Sequence, residues 1–287
     1  MKPHAMLVIT LLVVALVAGP TPAAAEEKEL GWSDQAEFSL VATSGNSETS
    51  TLGFKNELVH RWEPATLIIK AGAIRAKSDT ITRFAVGTVD DYSEEESSVS
   101  ELTSESYYLN GRYGREISEK FFWYTGASWE RNEFAGFDNR YLVEGGVGNI
   151  WRNDDDLKFH TQYALTYTRQ EDVVELPDAD DTWAGLRISS NYMNKFGANT
   201  TYENELILDA NLEEGSRWRG DMTNSVAVSM NSRLALKVSV QLLYENEPAV
   251  TDGNLFDPGD LGTPIGTVPV ELDDLDTIFT ASLVVNF

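Results

Sequence analysis

The fold of this chain is decided by the stretch TIFTASLVVNF, residues 277 to 287. Its apolar residues occupy every second position: Phe279, Ala281, Leu283, Val285 and Phe287. Because successive side chains of an extended strand point to opposite faces, these five share one face. The stretch therefore predicts a β-strand that is apolar on one side and ends on an aromatic residue.

The same alternation runs through the chain from Gln35 onward and predicts twelve strands, with no sustained helical periodicity. In the eleventh, the apolar residues from Leu234 to Tyr244 oppose Lys237, Ser239 and Gln241. Each strand therefore has one apolar and one polar face. The predicted bounds are 35–44, 49–62, 65–77, 104–115, 121–133, 139–152, 156–169, 182–194, 198–211, 217–231, 233–245 and 275–287.

A soluble β-sandwich also has such strands, so the connections must distinguish the alternatives. The connections after even-numbered strands are short, whereas the long segments 78–103, 170–181 and 246–274 all follow odd-numbered strands. This parity is expected when hairpins cross a layer repeatedly, and a sandwich has no reason to keep it. The connections thus favour strands that cross a membrane.

Strand length supports the same conclusion. Predicted strands of mostly ten to fourteen residues exceed the mean of about 5–6 in globular proteins and suit tilted membrane strands of about 9–11. An open sheet edge cannot face lipid, so the sheet must close. The sequence predicts an all-β fold: a transmembrane antiparallel up-and-down β-barrel over residues 35–287, with short periplasmic turns and longer acidic extracellular loops.

The N-terminus predicts export. Lys2 precedes an uncharged run, AMLVITLLVVALVA, at residues 5–18, and three alanines follow at 23–25. This pattern is typical of a secretory signal peptide cleaved after Ala25. The rival interpretation, a membrane anchor, needs roughly 20 apolar residues and the run is shorter. Residues 26–34 would form a short periplasmic segment ahead of the barrel.

Composition narrows the classes of function. The chain carries a formal net charge of −24 and no cysteine. Such an acidic surface argues against binding nucleic acid, whose phosphates attract basic residues. An exported protein without disulfides must be stabilised in another way, such as a closed sheet.

Two segments resemble known proteins. The closing strand resembles that of bacterial outer-membrane barrels, in which a terminal aromatic is read by the barrel assembly machinery. The first hairpin, AEFSLVATSGNSETSTLGFKNEL at residues 36–58, resembles the start of the domain-of-unknown-function 481 (DUF481) family. Members of that family are often labelled salt-induced outer-membrane proteins. The resemblance implies an outer-membrane barrel and brings no activity.

The polar faces of the strands predict a charged lumen. The residues placed there are Lys55, Glu57, Arg61, Lys70, Arg112, Arg131, Glu144, Arg152, Lys158, Arg187, Glu203, Glu205, Asp209, Lys237 and Glu245. Charged walls in a barrel indicate either water or facing ion pairs. Because a twelve-stranded barrel is narrow, both an open and a plugged lumen remain compatible with the sequence.

Enzymatic chemistry finds little support. The two histidines of the predicted barrel are His60 and His160, and neither has the serine two residues on that an outer-membrane phospholipase carries. No phosphate-binding loop, zinc spacing or nucleophile elbow occurs. We therefore expect no catalytic residues and no cofactor, and an outer-membrane hydrolase is the weakest of three hypotheses.

Acidic residues accumulate in the three long connections. One interpretation is a solvated, repulsive rim. The other is an oxygen-rich surface that loosely binds Ca²⁺ or Mg²⁺, with candidate ligands Asp178, Asp180, Asp181, Asp252, Asp257 and Asp260. Neither candidate cluster matches an EF-hand loop.

Two further hypotheses therefore stand. In the first, a non-enzymatic barrel serves the response of the envelope to salt or osmotic conditions as a narrow pore with a mild preference for cations. In the second, a closed structural barrel binds divalent cations and lipopolysaccharide through its acidic loops. The expected partners are outer-membrane lipid, lipopolysaccharide and the barrel assembly machinery.

Overall fold

A computed structural model describes residues 30–43, 47–88, 91–174, 180–256 and 263–287. Within these ranges, the side chains of 41–43, 47–49, 79–88, 91–98 and 252 are not described. The predicted signal peptide, 1–25, and residues 26–29 of the predicted periplasmic segment lie outside the described residues. Among the residues described, no helix is long and apolar enough to cross a membrane.

The described chain is almost entirely β-structure. Its fourteen strands are β1 (Gly31–Thr43), β2 (Ser47–Trp62), β3 (Ala65–Thr88), β4 (Asp91–Ser118), β5 (Phe121–Asn132), β6 (Phe137–Asn153), β7 (Leu157–Asp172), β8 (Thr182–Phe196), β9 (Thr200–Asn211), β10 (Trp218–Ser229), β11 (Leu234–Glu245), β12 (Val250–Leu255), β13 (Gly266–Glu271) and β14 (Leu275–Asn286). A single 3-10 turn, Glu133–Ala135, lies between β5 and β6.

Twelve of these strands form a closed antiparallel barrel. Sequential neighbours pair from β1 to β11, β14 pairs with β11, and β1 pairs with β14 to close the cylinder. The closing register places Gln35 opposite Asn286 and Phe38 opposite Leu283. The predicted twelve-stranded transmembrane barrel is therefore confirmed, and β12 with β13 forms a separate two-stranded sheet within the last connection.

The segment 78–103 differs from the prediction. It was expected to be a loop, but β3 and β4 continue through most of it, and Thr88 pairs with Asp91. Beyond Thr80 and Ser106 these strands pair only with each other, so they extend past β2 and β5 as a two-stranded ribbon. A ribbon outside the barrel wall needs no apolar face, so its strands lack the alternation by which the others are recognised.

The two faces of the barrel wall are reversed relative to a soluble protein. Outward side chains such as Leu165, Val143 and Phe279 are apolar and exposed, with Leu165 exposing 66% of its surface. Inward side chains such as Gln162 and Thr168 are polar, and each exposes only 2%. This inversion is expected when the outer surface contacts lipid and the inner surface encloses polar groups.

Aromatic rings are linked along the outward face at the end of the barrel with the short turns. The His60 ring lies 4.4 Å from Trp32 and 4.8 Å from Trp62. Trp62 continues to Tyr113 at 6.0 Å, and Tyr113 to Trp123 at 5.5 Å. Aromatic girdles of this kind occupy the headgroup boundary of membrane barrels.

Candidate functional site

One ion pair crosses the lumen. Arg140 Nη2 on β6 donates to Glu245 Oε1 on β11 at 2.9 Å. Four strands, β7 to β10, separate β6 from β11 on one side of the barrel and six on the other. A contact between strands so far apart requires both side chains to extend inward. Arg140 Nε also donates to Gln170 Oε1 at 2.5 Å, and the Arg140 side chain is only 8% exposed.

A second network covers the wall from β6 to β10. Arg187 donates two hydrogen bonds to Asp209, from Nε to Oδ1 at 2.6 Å and from Nη2 to Oδ2 at 2.9 Å. Its Nη1 reaches over β7 to Glu144 Oε2 at 3.2 Å. Asp209 Oδ2 also accepts from Arg219 Nε at 3.0 Å. Two carboxylates thus hold two guanidinium groups against the wall in a forked geometry that favours strong pairing.

Further pairs lie nearer the turn end. Lys237 Nζ reaches over β14 to Glu37 Oε1 at 2.7 Å. Lys70 Nζ lies 3.4 Å from Glu57 Oε2. The Arg112 guanidinium lies 3.8 Å above the Tyr124 ring centroid. The lumen wall is therefore covered by paired charges of both signs.

The structure places most of the sequence-predicted lumen residues on the inward side. With the crossing pair fixing which side faces in, strand alternation gives inward positions to Lys55, Glu57, Arg61, Lys70, Arg112, Glu144, Lys158, Arg187, Glu203, Glu205, Asp209, Lys237 and Glu245. Lys158 is exposed at the turn end, and Arg152 forms an ion pair with Asp154 at 3.8 Å there.

The structure places Arg131 outside the lumen, contrary to the prediction. Phe122 and Tyr124 hold the inward positions of β5, and Arg131 falls on the opposite, outward side. It forms ion pairs with Glu133 and, at 3.7 Å, with Asp138 outside the lumen. An arginine at the end of a strand can face outward because its long side chain reaches the aqueous boundary.

Inward charged residues that were not singled out from the sequence include Glu37, Glu130, Arg140, Arg219 and Asp221. The alternation itself was the available signal. Arg140 precedes Glu144 by four residues on one strand, and Glu37 is two residues from Gln35. Arg219 was harder to assign because the outward neighbours Gly220, Met222 and Asn224 give β10 a weak apolar face at this end.

Glycines on the inward face receive aromatic rings. A Cβ at Gly72 would overlap the ring of Tyr108, which lies directly opposite it on β4. A Cβ at Gly148 would overlap the ring of Phe122 in the same way. Glycine thus lets each ring lie flat against the wall, where it occupies little of the lumen.

The Gly72 contact gives a prediction. Gly72→Val should force the Tyr108 ring away from the wall and lower the free energy of unfolding by about 1–3 kcal/mol, as overpacking does. Denaturant unfolding in detergent measures this change. Gly111→Val is the matched control, because a Cβ at Gly111 meets nothing within 4 Å. Equal destabilisation by both substitutions would contradict the steric explanation.

The lumen widens into a cavity of about 680 Å³ at the loop end. The crossing pair Arg140 and Glu245 lines it, together with Thr166, Thr168 and the rim. The charged residues that line the cavity are Arg140, Arg217, Arg219, Asp172, Asp180, Asp209, Glu213, Glu214, Glu245 and Glu247. Seven carboxylates against three arginines make the cavity electronegative.

The terminal signature residues lie on β14 or just after it. Phe279, Leu283 and Phe287 are exposed, and Ala281 and Val285 are partly buried. Phe287 N donates to Asp34 O at 2.9 Å, so the terminal residue is held against β1. Reading of this strand by the assembly machinery stays a prediction.

The candidate metal ligands are not brought together in the described part of the chain. Asp178, Asp257 and Asp260 lie outside the described residues, as does the side chain of Asp252. Asp180 and Asp181 are exposed, and Asp181 Oδ2 lies 4.0 Å from Arg169 Nε. Among the described residues, no group of three or more His, Asp or Glu side chains could hold a metal ion. Cation binding stays a prediction.

The two barrel histidines pack on aromatic rings. His60 lies between Trp32 and Trp62 on the outward face. His160 faces inward, 6.3 Å from the Phe122 ring. These contacts account for both side chains as packing residues.

The apolar outer face, closed sheet and charged lumen define a transmembrane β-barrel of the outer-membrane type. The chain belongs to the family described as "Protein of unknown function, DUF481", whose model matches residues 36–256. The resemblance of the first hairpin is thereby confirmed. No curated protein matches the chain.

Three solved structures illustrate the similarity of fold. The COG4313 outer membrane channel from Pseudomonas putida F1 is 9% identical, with a TM-score of 0.44, over 94% of this chain and 100% of that one. A KdgM porin in complex with disordered oligogalacturonate is 10% identical, with a TM-score of 0.42, over 89% and 99%. A NanC porin is 9% identical, also with a TM-score of 0.42, over 89% and 98%.

Proposed function

We propose that this protein is a non-enzymatic pore in the bacterial outer membrane that passes small hydrated ions with a mild preference for cations. Through it the envelope would respond to salt or osmotic conditions. The observation that carries the proposal is the electronegative cavity at the loop end of the barrel. Charged walls in a barrel indicate either water or facing ion pairs, and a cavity whose carboxylates outnumber its arginines favours water and cations.

The preference for cations follows from charge placement. Seven carboxylates line the cavity against three arginines, so cations are concentrated there and anions depleted. Farther in, Lys237 and Lys70 each face a carboxylate, so the inner wall is close to neutral. Selection then acts mainly at the mouth and is mild.

The direct test is conductance of the purified protein in planar bilayers over a range of salt concentrations. Small, discrete conductance steps that grow with salt are expected from a narrow water-filled pore. Bilayers that stay silent at every salt concentration and voltage would remove the pore.

Charge neutralisation at the mouth gives a further prediction. The triple substitution Glu213→Gln, Glu214→Gln and Glu247→Gln should roughly halve the ratio of cation to anion permeability, because the local field weakens. Reversal potentials in a salt gradient measure this ratio.

The matched control removes three carboxylates from the outside of the same barrel end. Glu105, Glu133 and Glu171 form ion pairs on the outward face. Their replacement by glutamine should change the permeability ratio much less than the mouth triple. Equal shifts from both triples would mean that net charge alone sets selectivity.

A second candidate is a closed structural barrel whose acidic loops bind divalent cations and lipopolysaccharide. The crossing pair of Arg140 and Glu245 favours it, because the pair obstructs the lumen. Calorimetry discriminates the two: binding at the loops predicts that Ca²⁺ raises the melting temperature well beyond NaCl of equal ionic strength. Equal effects of the two salts would count against this candidate.

A further inference from the structure

The start of the connection from β11 to β14, residues 247–250, lines the cavity at the loop end. It packs on the β5–β6 connection at Gly136, which has a φ of +84°. A Cβ at Gly136 would overlap Cβ of Ala249 and lie 3.1 Å from Cδ1 of Leu272. Ala249 and Leu272 come from the two halves of the connection and are joined by the Leu272 N–H, which donates to Ala249 O at 2.9 Å. The two chain segments therefore meet across the loop end.

The base of this connection is fixed by hydrogen bonds next to Glu245. Glu245 N donates to Asp274 O at 2.9 Å, and Asn246 N donates to Trp218 O at 3.0 Å. The Asn246 side-chain amide donates to Ser216 O at 2.8 Å. Glu245 is thus held at the point where the connection leaves the barrel wall, with its carboxylate directed at Arg140.

The geometry points to Arg140 and Glu245 as the size filter of the pore, held in place by the two described ends of the connection, 246–249 and 272–274. This inference rests on the proposed function and names its substrate class: water and small inorganic ions, to the exclusion of solutes as large as a monosaccharide. The filter is an ion pair that spans the lumen between strands separated by four others on one side.

The pair is suited to this role because it is braced at both ends. Arg140 is held by Gln170 on β7 and approaches Glu130 on β5 at 3.8 Å. Gln170 in turn donates to Asp172 Oδ1 at 2.5 Å. A solute too large to pass beside the pair must separate two charges that are mostly shielded from water, which is unfavourable. Small hydrated ions can pass beside the pair while it stays intact.

The remaining wall at this level is already occupied on one side. Arg187, Asp209 and Arg219 fill the region between β8 and β10. The passage therefore lies between the crossing pair and the opposite wall, where Gly72 and Gly126 face the lumen and Tyr108 lies flat. Truncation of either side chain should open the space that the pair now occupies, so that the passage becomes wider.

The experiment compares ion conductance with sugar entry into liposomes that contain the full barrel. The wild-type protein should conduct ions and give no swelling in iso-osmotic arabinose. Arg140→Ala and Glu245→Ala should each admit arabinose and raise single-channel conductance several-fold. Arg75→Ala and Glu105→Ala form the matched control, because this pair at 3.6 Å lies on the outward face and should change neither readout.

A second set of variants keeps both filter residues and alters only their support. Replacement of residues 247–272 by Gly-Ser-Gly leaves β11 and β14 paired and Glu245 in place but removes the contact with Gly136. Gly136→Val should lift the connection by steric conflict with Ala249. Both variants should admit arabinose more slowly than Glu245→Ala does, because a loosened filter still excludes part of the time.

The proposed pore and the proposed size filter would be contradicted by different results. A wild-type protein that conducts no ions would overturn the pore itself. A wild-type protein that conducts ions but admits arabinose, or variants of Arg140 and Glu245 that leave sugar exclusion unchanged in a folded barrel, would overturn the filter alone. Heat-modifiable mobility on gels verifies that each variant is folded.

Discussion

Asp209→Ala is expected to lower the free energy of unfolding by about 3 kcal/mol, the lower end of the range for breaking a buried ion pair. Asp209 accepts hydrogen bonds from both Arg187 and Arg219, and the side chains of Asp209 and Arg187 are only 16% and 13% exposed. Its removal leaves Arg187 paired with Glu144 alone and breaks the ion pair of Arg219. Equilibrium unfolding in detergent, followed by tryptophan fluorescence, measures the change.

The matched control is an ion pair in water. Arg169 and Glu171 lie 3.3 Å apart on the outward rim and are 57% and 42% exposed. Glu171→Ala should therefore change stability by less than about 1 kcal/mol. A double-mutant cycle between Arg187 and Asp209 isolates their coupling. A cycle with no coupling energy, or equal losses at Asp209 and Glu171, would show that the lumen network contributes nothing to stability.

The barrel could be predicted because one physical rule generates it along the whole chain. A strand between lipid and a polar lumen must alternate, and segments such as Leu234 to Tyr244 show that alternation without interruption. The parity of short and long connections then fixed the up-and-down order. The same rule predicts the inward side for Lys55, Lys70 and Glu205, since each is next to an apolar residue, Phe54, Ile69 and Leu206 respectively.

Alternation does not identify strands or their faces where the chain has no lipid on one side and no lumen on the other. Residues 81–88 and 91–103 extend β3 and β4 past their neighbours, and a ribbon outside the barrel carries no apolar face to recognise. The prediction assigns Arg131 to the lumen because the residue is charged. At the end of β5, however, water is available on both faces of the wall. Alternation assigns a side of the wall reliably only within the apolar band.

The crossing pair was beyond sequence reasoning for a different reason. Glu245 was placed in the lumen, but its partner Arg140 lies 105 residues away in the chain. Which inward residues meet depends on the stagger of the strands and on the shape of the cross-section. The contact of Gly136 with Ala249 depends in addition on the path of the connection 246–274.

Val238→Arg tests whether the outward face of the barrel is embedded in lipid. Val238 lies on the outward face of β11 between Val226 and Ala281, and 45% of its surface is exposed. A charge in the middle of the lipid-facing band destabilises a membrane barrel by about 2–4 kcal/mol. Unfolding of the protein in lipid vesicles by guanidinium chloride should show this loss of stability. The introduced arginine side chain must either leave water or distort the bilayer.

Leu275→Arg makes the same change at the loop-end border. Leu275 begins β14, faces outward and is exposed to a similar degree. Near the interface the expected loss is only about 0–1 kcal/mol. The difference between the two sites therefore reports depth in the bilayer, since each substitution replaces an exposed aliphatic residue by arginine and the exposures are similar. Equal small losses at both sites would mean that the outward face of this barrel is not embedded in lipid, and the pore and its filter would have no membrane to cross.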